Sequence, residues 1–182
     1  MAATQRLFHE EPLPRAVVLD TSLVVHVLHE NEDFHRECLA FAQRLVDAGV
    51  LLVYSNLLRM EFWHGWARAM RIRGIPGELL QQPPLLPDPG SERVRAFLIG
   101  DRYLRDFLSL FRRYEIRIGT RLLDCALSLM AQYNLASHDA CVIAMASHAG
   151  VPDVASPDAK FRRIDGIQLW NDAIPERRRL AP

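Results

Sequence analysis

The sequence predicts an α/β domain: a mainly parallel, twisted sheet sandwiched in three layers between helices. Two observations carry this. Short apolar runs such as AVVLD (16–20) and VLLVYS (50–55) alternate with longer segments of helical spacing, the order that builds parallel strands joined by crossover helices. A chain of 182 residues with 49% hydrophobic residues also has enough apolar surface for one sizeable core.

Taken in order, residues 1–15, with Pro12 and Pro14, read as a flexible lead of low order. AVVLD reads as a buried strand, and TSLVVHVLHE follows as a helix that Thr21 or Ser22 can cap. In DFHRECLAFAQRLVDA (33–48), Phe34, Cys38, Phe41, Leu45 and Val46 recur at helical spacing, and Gly49 supplies the stop. VLLVYS is the second strand. NLLRMEFWHGWARAMRIR (56–73) is helical, and a Pro/Gly-rich insertion near 74–92 ends it, because prolines cannot continue a helix. Such a loop is long for a compact domain. Helix resumes over 91–113, EIRI (115–118) is a short strand, and TRLLDCALSLMAQYN and SHDACVIAMASHAG are two further helices. PDVAS and GIQLW supply the last strands, and residues 172–182 form a basic tail ending in ERRRLAP. One domain over 16–171 accommodates all of this.

Composition narrows the classes of function. Lys plus Arg and Asp plus Glu each number 22, so no global positive charge draws the chain to phosphates. Every basic residue but Lys160 is an arginine. No apolar stretch approaches the roughly 20 residues of a membrane span, and the N-terminus lacks a secretory pattern, so a cytoplasmic address is expected. Cys38, Cys125 and Cys141 stand singly, which suggests neither a disulfide framework nor a thiolate metal site.

The acids are more informative. Ligand sites in open parallel sheets form beyond the carboxyl ends of the strands. Asp20 ends the first strand, Asp158 follows PDVAS by two residues, and Glu61 lies early in the helix after VLLVYS. Asp139 opens a helix leading into the strand before Asp158, and reaches the same rim if that helix runs antiparallel to the strands. Carboxylates so gathered repel one another unless a cation neutralises them, and an all-oxygen set favours Mg²⁺ or Mn²⁺ over Zn²⁺. Taken singly, each acid has a plainer reading. Asp20 and Asp158 can cap helices, Asp139 can face a helix dipole, and Glu61 can point to solvent.

VVLDTSLVV with Asp20, NLLRMEFWHG with Glu61, NLASHDACVIAMASHAGVPDVAS with Asp139 and SPDAKFRRIDGIQLW with Asp158 together resemble the PIN-domain ribonucleases, and within them the VapC-like toxins of bacterial toxin–antitoxin pairs. The resemblance spans about residues 16–171 and is most specific in the final third. It implies a PIN-like three-layer α/β/α fold and a Mg²⁺- or Mn²⁺-dependent endoribonuclease. Asp20, Glu61, Asp139 and Asp158 would then be the catalytic and metal-binding acids, with Ser156 as a hydroxyl supporting Asp158. It also implies an RNA substrate, a cognate antitoxin and a homodimer. Two features depart from compact members of the family: the insertion lengthens the gap between Glu61 and Asp139, and Pro157 stiffens the turn before Asp158.

Other residues admit functional readings of their own. Arg162 and Arg163, just past Asp158, are candidate RNA-phosphate contacts. Trp63 and Trp66 can stack on bases or sit in the core, and His26, His29 and His35 read better as a helix end than as a metal site. The competing function is a catalytically silent PIN-fold module that binds RNA or protein. A dehalogenase-like phosphatase needs a second acid two residues after the first, where this chain has Ser22.

Overall fold

The computed structural model describes residues 2–73 and 92–172. All but the last residue of the Pro/Gly-rich insertion near 74–92, and all but the first of the basic tail over 172–182, lie outside the described residues. Six strands, all parallel, form one sheet in the order β1-β6-β5-β2-β3-β4. They are β1 (Thr4–Arg6), β2 (Ala16–Leu19), β3 (Leu51–Ser55), β4 (Arg112–Ile116), β5 (Asp153–Ala155) and β6 (Gln168–Trp170). Among the described residues the helices are α1 (Thr21–Leu28), α2 (His35–Asp47), α3 (Leu58–Arg73), α4 (Glu92–Ser109), α5 (Thr120–Tyr133) and α6 (Ser137–Ala149), and a 3₁₀ turn spans Ala159–Arg163. None of these helices is long and apolar enough to cross a membrane.

The three layers follow from alternation along the strands. Val17, Leu19, Leu52, Ala155 and Trp170 face a core shared with α1, α2, α3 and α4, while Val18, Val53, Val154 and Leu169 face a second core under α5 and α6. The first core is aromatic: Phe41 stacks on Phe8 and Trp170, and Phe62 on Trp66. Trp66 is fully buried with His29 edge-on against it, so this tryptophan is core and not a base-stacking platform. His35 Nδ1 meets the backbone oxygen of His26, and the three histidines share no ion site. Gly49 and Gly150 close α2 and α6 at φ +63° and +65°, the left-handed conformation glycine adopts without strain.

Two expectations need correction. Within the lead, residues 4–8 are not of low order: Thr4–Arg6 pair in register with Gln168–Trp170, and Phe8 is buried against Phe41. TQR carries no apolar residue, because an edge strand held by backbone pairing needs none. The fourth strand spans Arg112–Ile116 instead of 115–118, so α4 stops at Ser109, short of 113. RRYEI is exposed at four of its five positions, and an edge strand in solvent leaves no apolar run to read.

Candidate active site

The strand order reverses beside β2. The chain steps to β3 and β4 on one side and returns through β5 and β6 on the other, which opens a crevice at the carboxyl ends of β2 and β5. The backbone N–H of Asp20 donates to the Ala155 carbonyl at 3.0 Å and ties the two strand ends together. Beyond them lies a cleft of about 650 Å³ whose lining includes all four predicted acids, Asp20, Glu61, Asp139 and Asp158.

Asp20 occupies the N-cap position of α1, yet its side chain makes no capping hydrogen bond. Its carboxylate is buried and accepts from the hydroxyls of Ser22 and, at 2.6 Å, Ser156. The plain reading of Asp20 as a helix cap therefore fails on geometry. Glu61 arrives from the first turn of α3, where Thr21 Oγ1 donates to its Oε2 at 2.8 Å. Close packing of α1 on α3 makes this contact: a Cβ on Gly65 would lie 2.8 Å from the stiff Val25 side chain. Asp139 sits in the first turn of α6, and its carboxylate is paired with Lys160 Nζ at 2.7 Å and with His138 Nε2 at 3.3 Å. Asp158 does cap the 3₁₀ turn, accepting from the Lys160 N–H at 2.9 Å, and its other oxygen pairs with Lys160 Nζ at 3.0 Å.

Burial pushes the Glu61 and Asp139 carboxyls above the usual carboxylate range. For Glu61 the Thr21 hydrogen bond only partly offsets this, and for Asp139 Lys160 plays the same part. Burial opposes the charge of Lys160, but its bonds to Asp139 and Asp158 win and hold the ammonium above its ordinary pKa. Asp20 adds repulsion at both raised acids.

Several expectations about the surrounding groups change. Ser156 gives its hydroxyl proton to Asp20, and supports Asp158 only by accepting its backbone N–H at 3.1 Å. Arg162 and Arg163 do not line the cleft. Arg163 Nη2 instead donates to the Asn134 carbonyl at 2.9 Å, on the α5–α6 side. The basic groups that do line it are Arg68, Arg71 and Lys160, with His64 and His138. Glu61, His64, Arg68 and Arg71 are spaced by three and four residues, so one stripe of α3 carries them all. That spacing was visible in the sequence and could have found them.

The PIN domain family model matches residues 17–167. The chain belongs to the PIN domain family. Among solved structures, this PIN domain is similar to VapC20 of Mycobacterium tuberculosis, described as a sarcin–ricin loop cleaving toxin. The two share 16% sequence identity at a TM-score of 0.53, over 80% of this chain and 92% of that one. That likeness concerns the fold. No curated protein matches.

The chemistry of the PIN domain's cleft fits a hard divalent cation. Its acids and hydroxyls supply oxygen donors, beside the imidazoles of His64 and His138, and two of its acids are disfavoured as anions by burial. Between Asp139 and Asp158 a cation already stands, the Lys160 ammonium. Among the described residues, no three acidic, histidine or cysteine side chains are gathered tightly enough to grip an ion as they stand.

Proposed function

We propose that this PIN domain is a metal-dependent endoribonuclease that hydrolyses RNA phosphodiester bonds, and that it is the toxin component of a toxin–antitoxin pair. One observation carries the reading: four acids from four separate segments line one cleft at the strand-order switch, two of them held above their usual pKa. The match of the family model over residues 17–167 supports it, and so does the likeness to a toxin described as cleaving the sarcin–ricin loop.

Asp20, Asp139 and Asp158 would hold Mg²⁺ or Mn²⁺, with Glu61 at the edge of the set. When bound, such an ion activates water and stabilises the charge that builds on the phosphodiester. The chain's own groups do the rest. Ser22 and Ser156 fix the Asp20 carboxylate by hydrogen bonds, and Thr21 orients Glu61. Glu61, disfavoured as an anion by burial, is suited to accept a proton from an attacking water. Arg68 and Arg71, on the stripe of α3 that carries Glu61, offer guanidinium forks to the RNA backbone. A catalytically silent module would be favoured by the loss of an acid, and all four are in the cleft.

Purified protein should cut RNA with Mg²⁺ or Mn²⁺ and stop when EDTA is added; cutting that persists in chelator rejects the mechanism. In keeping with the toxin reading, we place the protein in the cytoplasm, bound by a cognate antitoxin. Leu123 and Leu127, exposed on α5, offer an apolar face to a second copy. Light scattering at micromolar concentration should give a dimeric mass, and a monomer would reject that face as a dimer contact.

A further inference from the structure

Lys160 is the only lysine among 22 Lys and Arg residues, and it reaches back over the acid that precedes it by two positions. Asp158 caps the backbone N–H of Lys160, which fixes the start of the side chain. The flexible stem then carries Nζ to 2.7 Å from Asp139 Oδ1 and 3.0 Å from Asp158 Oδ2. The ammonium also lies 5.5 Å from the ring centroid of Phe161, which is fully buried. A single positive charge thus bridges two carboxylates from separate elements, α6 and the turn after β5.

We infer that Lys160 is a built-in counter-ion. It holds Asp139 and Asp158 in place in the metal-free cleft, and it must withdraw before those carboxylates could hold a divalent cation. The inference rests on the proposed metal-binding role of those acids. Without Lys160, the buried Asp139 carboxylate would face Asp20 and Asp158 with His138 beside it. With both Lys160 and a dication between the acids, two cations would repel each other at close range in a partly buried site. The ammonium and the ion therefore compete, and Lys160 sets the affinity for metal as well as the order of the empty cleft. Lysine suits this exchange better than arginine, since it is a compact point charge on a flexible stem and not a planar fork locked by paired bonds.

The test is Mn²⁺ binding to wild-type protein, Lys160→Met and Lys160→Arg, measured by electron paramagnetic resonance of free Mn²⁺. Lys160→Met should bind Mn²⁺ roughly tenfold more tightly than wild type, because a repelling charge has gone, while Lys160→Arg should not gain affinity. If wild type binds Mn²⁺ and Lys160→Met binds equally or more weakly, the counter-ion role is overturned and the metal site stands. If neither binds Mn²⁺, the metal site itself falls and the counter-ion role falls with it. A second measurement needs no variant. With ¹³C-labelled lysine the protein carries one labelled side chain, and saturating diamagnetic Mg²⁺ should shift its signal. A signal that stays in place while Mg²⁺ binds would overturn the inference even if Lys160→Met fails to fold.

Discussion

Asp101 on α4 and Asp139 on α6 are both buried aspartates, 7% and 1% exposed, and their surroundings treat them in opposite ways. Asp101 accepts two parallel hydrogen bonds from Arg59 at 2.6 and 2.7 Å, a third from Trp63 Nε1 at 3.1 Å, and has Arg105 at 3.4 Å. Burial works against its charge, but the Arg59 and Trp63 hydrogen bonds outweigh it and hold the carboxyl below its ordinary pKa. Asp139 has Lys160 and His138, and burial still lifts it above the ordinary range. The difference teaches that burial alone does not mark a reactive acid. Asp101 fastens α3 to α4 through groups that fully answer its charge. Asp139 keeps a raised pKa even with the Lys160 ammonium 2.7 Å away.

Isosteric amides break this comparison most sharply. Asp139→Asn should abolish RNA cleavage and leave metal-free stability unchanged or raised by up to about 1 kcal/mol, because an anion disfavoured by its site has been removed. Asp101→Asn should do the reverse, costing about 1–3 kcal/mol through lost charge-assisted hydrogen bonds while cleavage persists. Thermal or urea unfolding beside an RNA-cutting assay separates the two. Equal behaviour of the two variants would end the distinction.

A smaller effect concerns pH. Glu61 and Asp139 have folded-state pKa values above their unfolded ones. Their contribution to metal-free stability is fully present below the unfolded carboxylate pKa, about 4, and is lost as pH rises through the raised folded values. Asp101 works in the opposite sense, adding stability above that pKa and losing it as pH falls through its lowered value. Glu61→Gln should therefore flatten the fall in metal-free melting temperature as pH rises from about 4. A fall of unchanged steepness would show that burial of Glu61 does not carry this effect.

The central strands β2 and β3 were legible because they are buried on both faces and so leave near-continuous apolar runs, AVVL and LLVYS. The four acids were legible because each follows such a strand or opens a helix leading to one. The edges were not. β1 is TQR and β4 is RRYEI, held by backbone bonds that leave no side-chain pattern. Nor were the basic groups of the cleft. Proximity in sequence pointed to Arg162 and Arg163 as phosphate contacts, whereas the 3₁₀ turn brings Lys160 into the cleft and leaves both arginines outside it. The stripe of Arg68 and Arg71 enters through the packing of α3 on α1 around Gly65, a contact between segments forty residues apart.

The most direct test of a metal-dependent acid site is Asp20→Asn, assayed for RNA cleavage and for stabilisation by Mn²⁺. Asparagine keeps an acceptor for Ser22 and Ser156, and no capping bond is lost because Asp20 makes none. The variant should fold with a metal-free melting temperature within about 2 °C of wild type, fail to cut RNA, and lose most of the stabilisation that Mn²⁺ gives the wild-type protein. A variant that still cuts RNA, and whose melting temperature still rises with Mn²⁺ as the wild type's does, would contradict the assignment of this cleft as the catalytic centre.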